Sequence, residues 1–228
     1  MLLAFLFGAC LASFCCVVIE RSYQGISIVK PASHCTRCQH KLRSYELIPI
    51  FSILLQKFRC TACHQPIPKI YLLAEMSGAL LFVGLSQLPL TFYSLFCGLW
   101  LLSGWLLSLT DLFYYHVEPK ILYPASVVML LLAIIGPLPL YWQQTALLFL
   151  IFLCIRLFFP QKIGDGDLQL LLCWSLFLPY QELALLVCLA SLLGVLVILL
   201  SSFSRQPIKK LPFVPFLWAA LAFLLWHS

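Results

Sequence analysis

The sequence predicts an all-α, polytopic membrane protein with about eight transmembrane helices and one long hydrophilic loop. Three observations predict it. The 228 residues are 63% hydrophobic and only 10% charged, with a mean hydropathy of +1.02. A water-soluble domain of this size cannot hide that much apolar surface, so lipid solvates most of it. Apolar runs recur at about 1–19, 70–88, 91–110, 121–135, 144–159, 168–178, 182–203 and 213–227. Finally, if those runs cross alternately, every Lys and Arg falls on one side.

The first run, Met1 to Ile19, has no basic residue before it and no small-residue cleavage pattern after it. It is expected to be a retained span, not a removed signal peptide. The second run opens after Pro68-Lys69 and carries Glu75 about one turn in. The third ends at Thr110, directly before Asp111. The fourth, sixth and eighth are short or ambiguous at their ends, and the sixth, from Leu168 to Leu178, has only 11 residues. The seventh is long and uniformly apolar, and the eighth follows Leu211-Pro212.

Sidedness tests this count. With the loop 20–69 in the cytoplasm, Arg21, Lys30, Arg37, Lys41, Arg43, Lys57, Arg59 and Lys69 face inward. Alternate crossings then also place Lys120, Arg156, Lys162, Arg205, Lys209 and Lys210 inside. The opposite connections, Gln87 to Thr91, Gly136 to Gln144 and Pro179 to Glu182, hold none, and both termini lie outside. The net charge of +6 is thereby explained by orientation and anionic lipid, and no nucleic-acid role is expected.

Two Cys-x2-Cys pairs, Cys35/Cys38 and Cys60/Cys63, lie in the hydrophilic loop. Two such knuckles bring four thiolates into tetrahedral geometry around zinc, and a cytoplasmic setting keeps them reduced. His34, His40 and His64 stand beside them as substitute ligands. A site closed by four cysteines leaves no position for water, so the expected role is structural. The seven other cysteines lie in apolar runs and are expected to act as small hydrophobes. Between the knuckles, Tyr45 to Leu55 is apolar enough to lie on the membrane surface or pack on the spans. The chain is accordingly divided into a span-plus-knuckle region, 1–75, and a membrane-embedded region, 76–228.

Asp111 and Asp167, the latter in Gly164-Asp165-Gly166-Asp167, sit at span edges on the cytoplasmic side. Two carboxylates brought together there share one proton, the arrangement that activates water against a peptide carbonyl. Gly164 and Gly166 are expected to position substrate, through close backbone approach and positive φ. Taken singly, each aspartate has a simpler reading: Asp167 as the N-cap of the sixth helix, and Asp111 as a solvated residue closing the third. Asp165 reads as a solvated neighbour that helps hold the loop. Glu75 is either a functional intramembrane carboxylate or a snorkelling one, and His116 and Glu118 are ambiguous.

Together these residues resemble the bacterial type IV prepilin peptidases, membrane aspartic proteases with a G-x-G-D motif. Ser13 to Arg21 resembles the opening S-F-x-N-V-V-I-x-R. The Cys pairs resemble the zinc loop, and Tyr45 to Ile50 the Y-[DE]-x-I-P motif. Pro68 to Glu75 stands where the family has a lead-in ending in P-L-V-E, and Leu211 to Phe216 is similar to I-P-F-G-P-F. The departures are Cys16 for asparagine, Glu20 for tyrosine, Glu118 for isoleucine, Gln169 for lysine and Val214 for glycine. The resemblance implies that Asp111 and Asp167 are the catalytic pair. It also implies a substrate, the leader of a prepilin or pseudopilin, cut after a glycine on the cytoplasmic face of the inner membrane. N-methylation by S-adenosylmethionine would be a second activity, with Glu75 a candidate for that region. Three rivals are a non-catalytic zinc-knuckle scaffold of a pilus or secretion assembly, a methyltransferase that has lost proteolysis, and a transporter. The last is disfavoured because no span carries a mid-bilayer charge pair.

Overall fold

Each of the eight apolar runs becomes a helix in the computed structural model, which describes residues 1–158, 164–202 and 210–227. In chain order the helices are α1 (Leu2–Gln24), α2 (Phe51–Leu55), α3 (Ile70–Leu85), α4 (Phe92–Tyr114), α5 (Pro119–Ile135), α6 (Trp142–Phe158), α7 (Asp165–Ser175), α8 (Tyr180–Ser202) and α9 (Val214–His227). A single 3-10 turn covers Ser44–Leu47. Among the described residues, extended pairing is limited to isolated bridges between His34 and Lys41 and between Arg59 and Pro66.

Among the described residues three helices, α1, α4 and α8, each of 23 residues, are long and apolar enough to cross a membrane. The apolar helices α3, α5, α6 and α9 have 16, 17, 17 and 14 residues, and α7 has 11. At a rise of about 1.5 Å per residue, 17 residues reach roughly 26 Å, short of a hydrocarbon core about 30 Å thick. Helix length therefore supports three crossings and leaves the eightfold crossing open. Lys162, Arg205 and Lys209, which the sidedness reading used, lie outside the described residues, as do the run ends at 159 and 203.

The chain divides into two compact units, Met1–Pro89 and Leu90–Ser228. Helix α3 belongs wholly to the first, and a boundary after residue 75 falls inside it.

In the first unit α1 meets α3 along small residues. Gly8, Ala9, Ala12, Cys16 and Ile19 form a buried stripe at helical spacing, and Ala74, Gly78 and Ala79 are buried on α3. A Cβ on Gly8 would stand 2.5 Å from the Gly78 carbonyl oxygen. Only glycine permits that approach, which is how small residues let membrane helices pack closely. Helix α1 stops at Gly25, φ 67 and ψ 23, with the Ile26 N–H returning to the Arg21 carbonyl at 2.9 Å. That is a Schellman stop. Two of the departures noted above have local explanations. The Glu20 carboxylate accepts a hydrogen bond from the Tyr71 hydroxyl, and Cys16 is one more small side chain in the α1 stripe.

In the second unit α4 is the axis. Half of its apolar window is buried (50%), against 22% for α1 and for α8. Trp100 packs edge-on against Phe96, Trp174 and Phe177, with ring centroids 5.4, 6.0 and 5.7 Å apart, the preferred geometry for aromatic pairs. At Gly104 a Cβ would come within 3.0 Å of Trp218 and 3.2 Å of Trp174, so α4 carries no side chain where both indoles approach.

The short helix α7 is held at its C-terminal end. The Gln144 side-chain amide donates to the Ser175 carbonyl at 2.6 Å and to the Leu178 carbonyl. The Ser175 hydroxyl meets Thr145 at 3.1 Å, and the Tyr141 N–H donates to the Leu176 carbonyl at 2.9 Å. In apolar surroundings such helix-end carbonyls must find donors. Along the same helix Gln169 accepts from the Tyr123 hydroxyl of α5 at 3.2 Å. Helix α6 supplies Gln144 and Thr145, yet none of its described residues is buried.

Candidate functional site

The site grows from the end of α4. Its C-cap, Tyr115, takes φ 53 and ψ 40, and its N–H closes on the Asp111 carbonyl at 2.8 Å. The Asp111 side chain is buried, 6% exposed, so it is not a solvated residue finishing a span. Its Oδ2 accepts the Val214 backbone N–H at 3.0 Å, and the Phe213 backbone also contacts the carboxylate. Val214 is the first residue of α9. Asp111 thus satisfies one of the orphan N–H groups at the start of a helix 103 residues further along the chain.

Asp167 is the third residue of α7. The N-cap of α7 is Gly164, with no side-chain capping bond, so Asp167 is not the N-cap that the simpler reading assigned. It is partly buried, and no group donates to it among the described residues. The charge that acts on it is that of Asp111. The fold therefore leaves two carboxylates that are far apart in the sequence near enough to act on one another by charge. One is tied to the start of α9 by backbone hydrogen bonds from Val214 and Phe213; the other has no such donor among the described residues.

The glycines differ from expectation. Gly164 sits at φ −64 and ψ 116, Gly166 lies within α7, and the positive-φ glycine among the described residues is Gly25. Positive φ is therefore not their reason. Close approach is, for one of them: a Cβ on Gly166 would lie 2.9 Å from both Cβ and Cγ2 of Val117, and Val117 is buried just beyond Asp111. A Cβ on Gly164 would meet Asp167 Oδ2 at an ordinary 3.4 Å. Glycine at 166 is what lets the start of α7 close on the segment after α4. Asp165 pairs with Arg156 at 3.2 Å across exposed side chains, a contact of small energetic weight. His116 is exposed but near enough to act on Asp111 by charge.

In the first unit, the Sγ atoms of Cys35, Cys38, Cys60 and Cys63 all lie within 4.8 Å of one another. The Cys35–Cys63 and Cys38–Cys60 separations are 3.8 and 3.9 Å. A tetrahedron with metal–sulfur bonds of about 2.3 Å has edges of roughly 3.8 Å, so the four sulfurs fit zinc. Backbone N–H groups of Cys38 and Arg37 hold the Cys35 thiol down to about 6, and those of Cys63 and Ala62 lower Cys60. Both effects favour thiolates, while at Cys63, against the Gln65 backbone N–H, burial and the three neighbouring sulfurs lift the thiol to about 11. The knuckles are near copies. Gln39 and His64, each following the second cysteine, take φ 59 and 57, and the Cys35 and Cys60 N–H groups donate to the His40 and Gln65 carbonyls, each at 2.9 Å. None of the three neighbouring histidines joins the sulfur cluster.

Sequence reasoning missed what joins the knuckles. Glu46 is buried. It accepts the Arg43 N–H at 2.7 Å and the Thr61 hydroxyl of the second knuckle, and lies 3.8 Å from His40 beside the first. The Arg43 N–H and then the Thr61 hydroxyl hold its carboxyl below the usual range. The apolar residue type at 47–51 masked this acid, although its place midway between the knuckles was a usable signal.

Glu75 is buried. Its Oε2 accepts the Ile50 N–H at 2.6 Å, and Ser13 also hydrogen-bonds the carboxylate. Ile50 stands at φ 66 and ψ −58, in a γ-turn closed by the Phe51 N–H on the Pro49 carbonyl at 2.7 Å. A β-branched residue persists there only when its surroundings over-determine it. Burial of Ile50 between Ala9 and Ala79 and the carboxylate on its N–H do so.

Comparison with known proteins agrees with this layout. Residues 6–88 match the family described as the bacterial peptidase A24 N-terminal domain, and residues 95–199 match the type IV leader peptidase family. Proteins named prepilin leader peptidase/N-methyltransferase are similar over most of the chain. The Myxococcus xanthus protein is 33% identical over 85% of this chain and 60% of its own length. The Bacillus subtilis protein is 29% identical over 92% and 88%, and that of Aeromonas hydrophila 28% identical over 96% and 89%. The chain thus spans less than two thirds of the M. xanthus protein but most of the other two. No solved structure matches it significantly.

Proposed function

The chain belongs to the type IV leader peptidase family, and from that premise we propose that it is a membrane aspartic endopeptidase. Its substrates are the leaders of type IV prepilins or pseudopilins, cut on the cytoplasmic side of the inner membrane. The observation that carries this reading is a buried Asp111 at the end of α4 close enough to act by charge on Asp167 at the start of α7. A water held between them loses a proton to one carboxylate as it attacks the scissile carbonyl. The other donates to the departing amine. Gly166 sets the spacing by admitting α7 against Val117, and Gly164, exposed at the mouth of the helix, leaves room for an extended substrate backbone.

The remaining features fit the same reading. Eight crossings with both termini outside place the basic loop and the carboxylate pair on one face. The short helices then require tilting, local thinning of the bilayer, or incomplete crossing. Zinc on Cys35, Cys38, Cys60 and Cys63 staples a loop that has little core of its own. N-methylation of the new amine by S-adenosylmethionine is a second activity carried by the names of the relatives. Glu75 belongs to that region of the chain, but its carboxylate is committed to Ile50 and Ser13. It fits a strut better than a ligand for the methyl donor.

The test is incubation of the purified protein, and of Asp111→Asn and Asp167→Asn, with a prepilin leader peptide and S-adenosylmethionine. Mass spectrometry reads both products. Loss of cleavage by about 10²- to 10⁴-fold in each variant is expected. No cleavage by the wild-type protein would return the chain to a non-catalytic zinc-knuckle scaffold whose aspartates only cap helices, and undiminished cleavage by either variant would remove that aspartate from the catalytic pair.

A further inference from the structure

We propose that the first peptide of α9, the Phe213–Val214 backbone, is a positioning element for the carboxylate pair. It holds Asp111 through Oδ2, so that the carboxylate meets the reacting water in one fixed orientation. The inference rests on the peptidase reading above and adds to it an asymmetry between the two acids.

The geometry of one face of α4 supports it. Leu101, Gly104, Ser108 and Asp111 recur at intervals of three and four residues, so they form one stripe. Every one of them engages α9. The Leu101 carbonyl accepts the Trp218 indole N–H at 2.9 Å. Gly104 gives the same indole its space. The Ser108 hydroxyl, donating to the Gly104 carbonyl at 2.8 Å, also reaches the Val214 carbonyl at 3.5 Å. Asp111 takes the Val214 N–H. Val214 is therefore gripped through both ends of its backbone, and its side chain is fully buried. With Trp218 fixed one turn further on, α9 cannot slide or turn along α4 without breaking several contacts at once.

A free aspartate rotates about its Cβ–Cγ bond and offers either oxygen. A carboxylate bonded to a backbone N–H on a helix anchored at several points does not. The first N–H groups of a helix have no intrahelical acceptor, so this donor serves Asp111 without weakening the ladder of α9. Asp167 has no such tether among the described residues. Asp111 is the fixed member of the pair, and Asp167 is the member that adjusts to substrate.

The test deletes one N–H. Val214 is replaced by its α-hydroxy acid, which exchanges the amide for an ester and keeps the side chain. In parallel, Val214→Pro removes the same N–H at the first helical position, where proline is well tolerated. Because a hydrogen bond to a charged group is lost, kcat for leader cleavage should fall by about ten- to a hundred-fold, with KM within about twofold of wild type and the unfolding temperature little changed. Two results would overturn the proposal. One is kcat within twofold of wild type in whichever variant folds. The other is a fall in kcat matched by an equal change in KM or by loss of the folded state in both, which would mark a cap and nothing more. Asp111→Asn, run alongside, separates the two levels. If it still cleaves at the wild-type rate, the Asp111–Asp167 catalytic pair itself fails; if it is dead while the ester is active, only the positioning role does.

Discussion

Alanine at Gly166 is the sharpest perturbation of the site that leaves both carboxylates in place. The new methyl would lie 2.9 Å from two carbons of Val117 and 3.5 Å from its nitrogen. Carbon atoms at rest stand about 3.5–4.0 Å apart. The start of α7 or the buried Val117 segment must therefore give way by roughly 0.6–1.1 Å. Overpacking of that kind costs about 1–3 kcal/mol. The displaced segments are those that carry Asp167 and follow Asp111, and a misplacement of about 1 Å near reacting groups costs on the order of a hundredfold in rate. Leader cleavage by Gly166→Ala, followed by mass spectrometry in nanodiscs, should fall by about ten- to a hundred-fold in kcat. Gly164→Ala, which meets only an ordinary contact, should lose less than about a fifth as much. Adding Val117→Gly removes both close carbons and should recover most of the rate. Wild-type cleavage by Gly166→Ala, or a double variant no better than the single, would refute the packing explanation.

Three further outcomes can be checked on the purified protein. Cys60→Ser should bind no zinc by elemental analysis, against one per chain for wild type, and should expose the basic loop to trypsin. Glu46→Gln should release zinc about ten- to a hundred-fold more readily. Because the folded carboxyl lies below its ordinary range, its contribution is complete above the unfolded value and is lost as pH falls through the lowered one. The difference between wild type and Glu46→Gln should therefore shrink in acid. Gly8→Leu should separate α1 from α3, since even a single Cβ would overlap the Gly78 carbonyl. Thermal unfolding followed by circular dichroism should show a loss of several degrees.

The helices were legible because each is a run of apolar residues, and the knuckles because two x2 spacings fix ligand geometry locally. Their lengths were less so. Hydropathy marks where lipid is tolerated, whereas the end of a helix depends on caps, and Gln144 terminates α7 from another helix. The two aspartates were found by residue type, yet the partner of Asp111 lies 103 residues away, beyond any periodic pattern. Of the two reasons the sequence offers for Gly164 and Gly166, close backbone approach and positive φ, the second fails. Sequence suggests positive φ for any glycine near a turn, but at Gly166 the requirement is space for Val117. Glu20 looked like a defect until Tyr71 supplied its donor. In each case the missing information is a contact made by another element.

Helix α6 has no buried residue among those described, and its polar contacts lie at its two ends: Gln144 and Thr145 hold the end of α7, and Arg156 pairs with Asp165. Between those ends Leu148 rests on the core, while Leu147, Phe149, Leu150, Ile151 and Leu153 are exposed. A saturation library should accordingly find survivors spread freely over those five positions, bounded only by greasiness, and almost none at Gln144. For an engineer, they are the places to attach a label, an affinity handle or a fluorophore without disturbing the protein's interior.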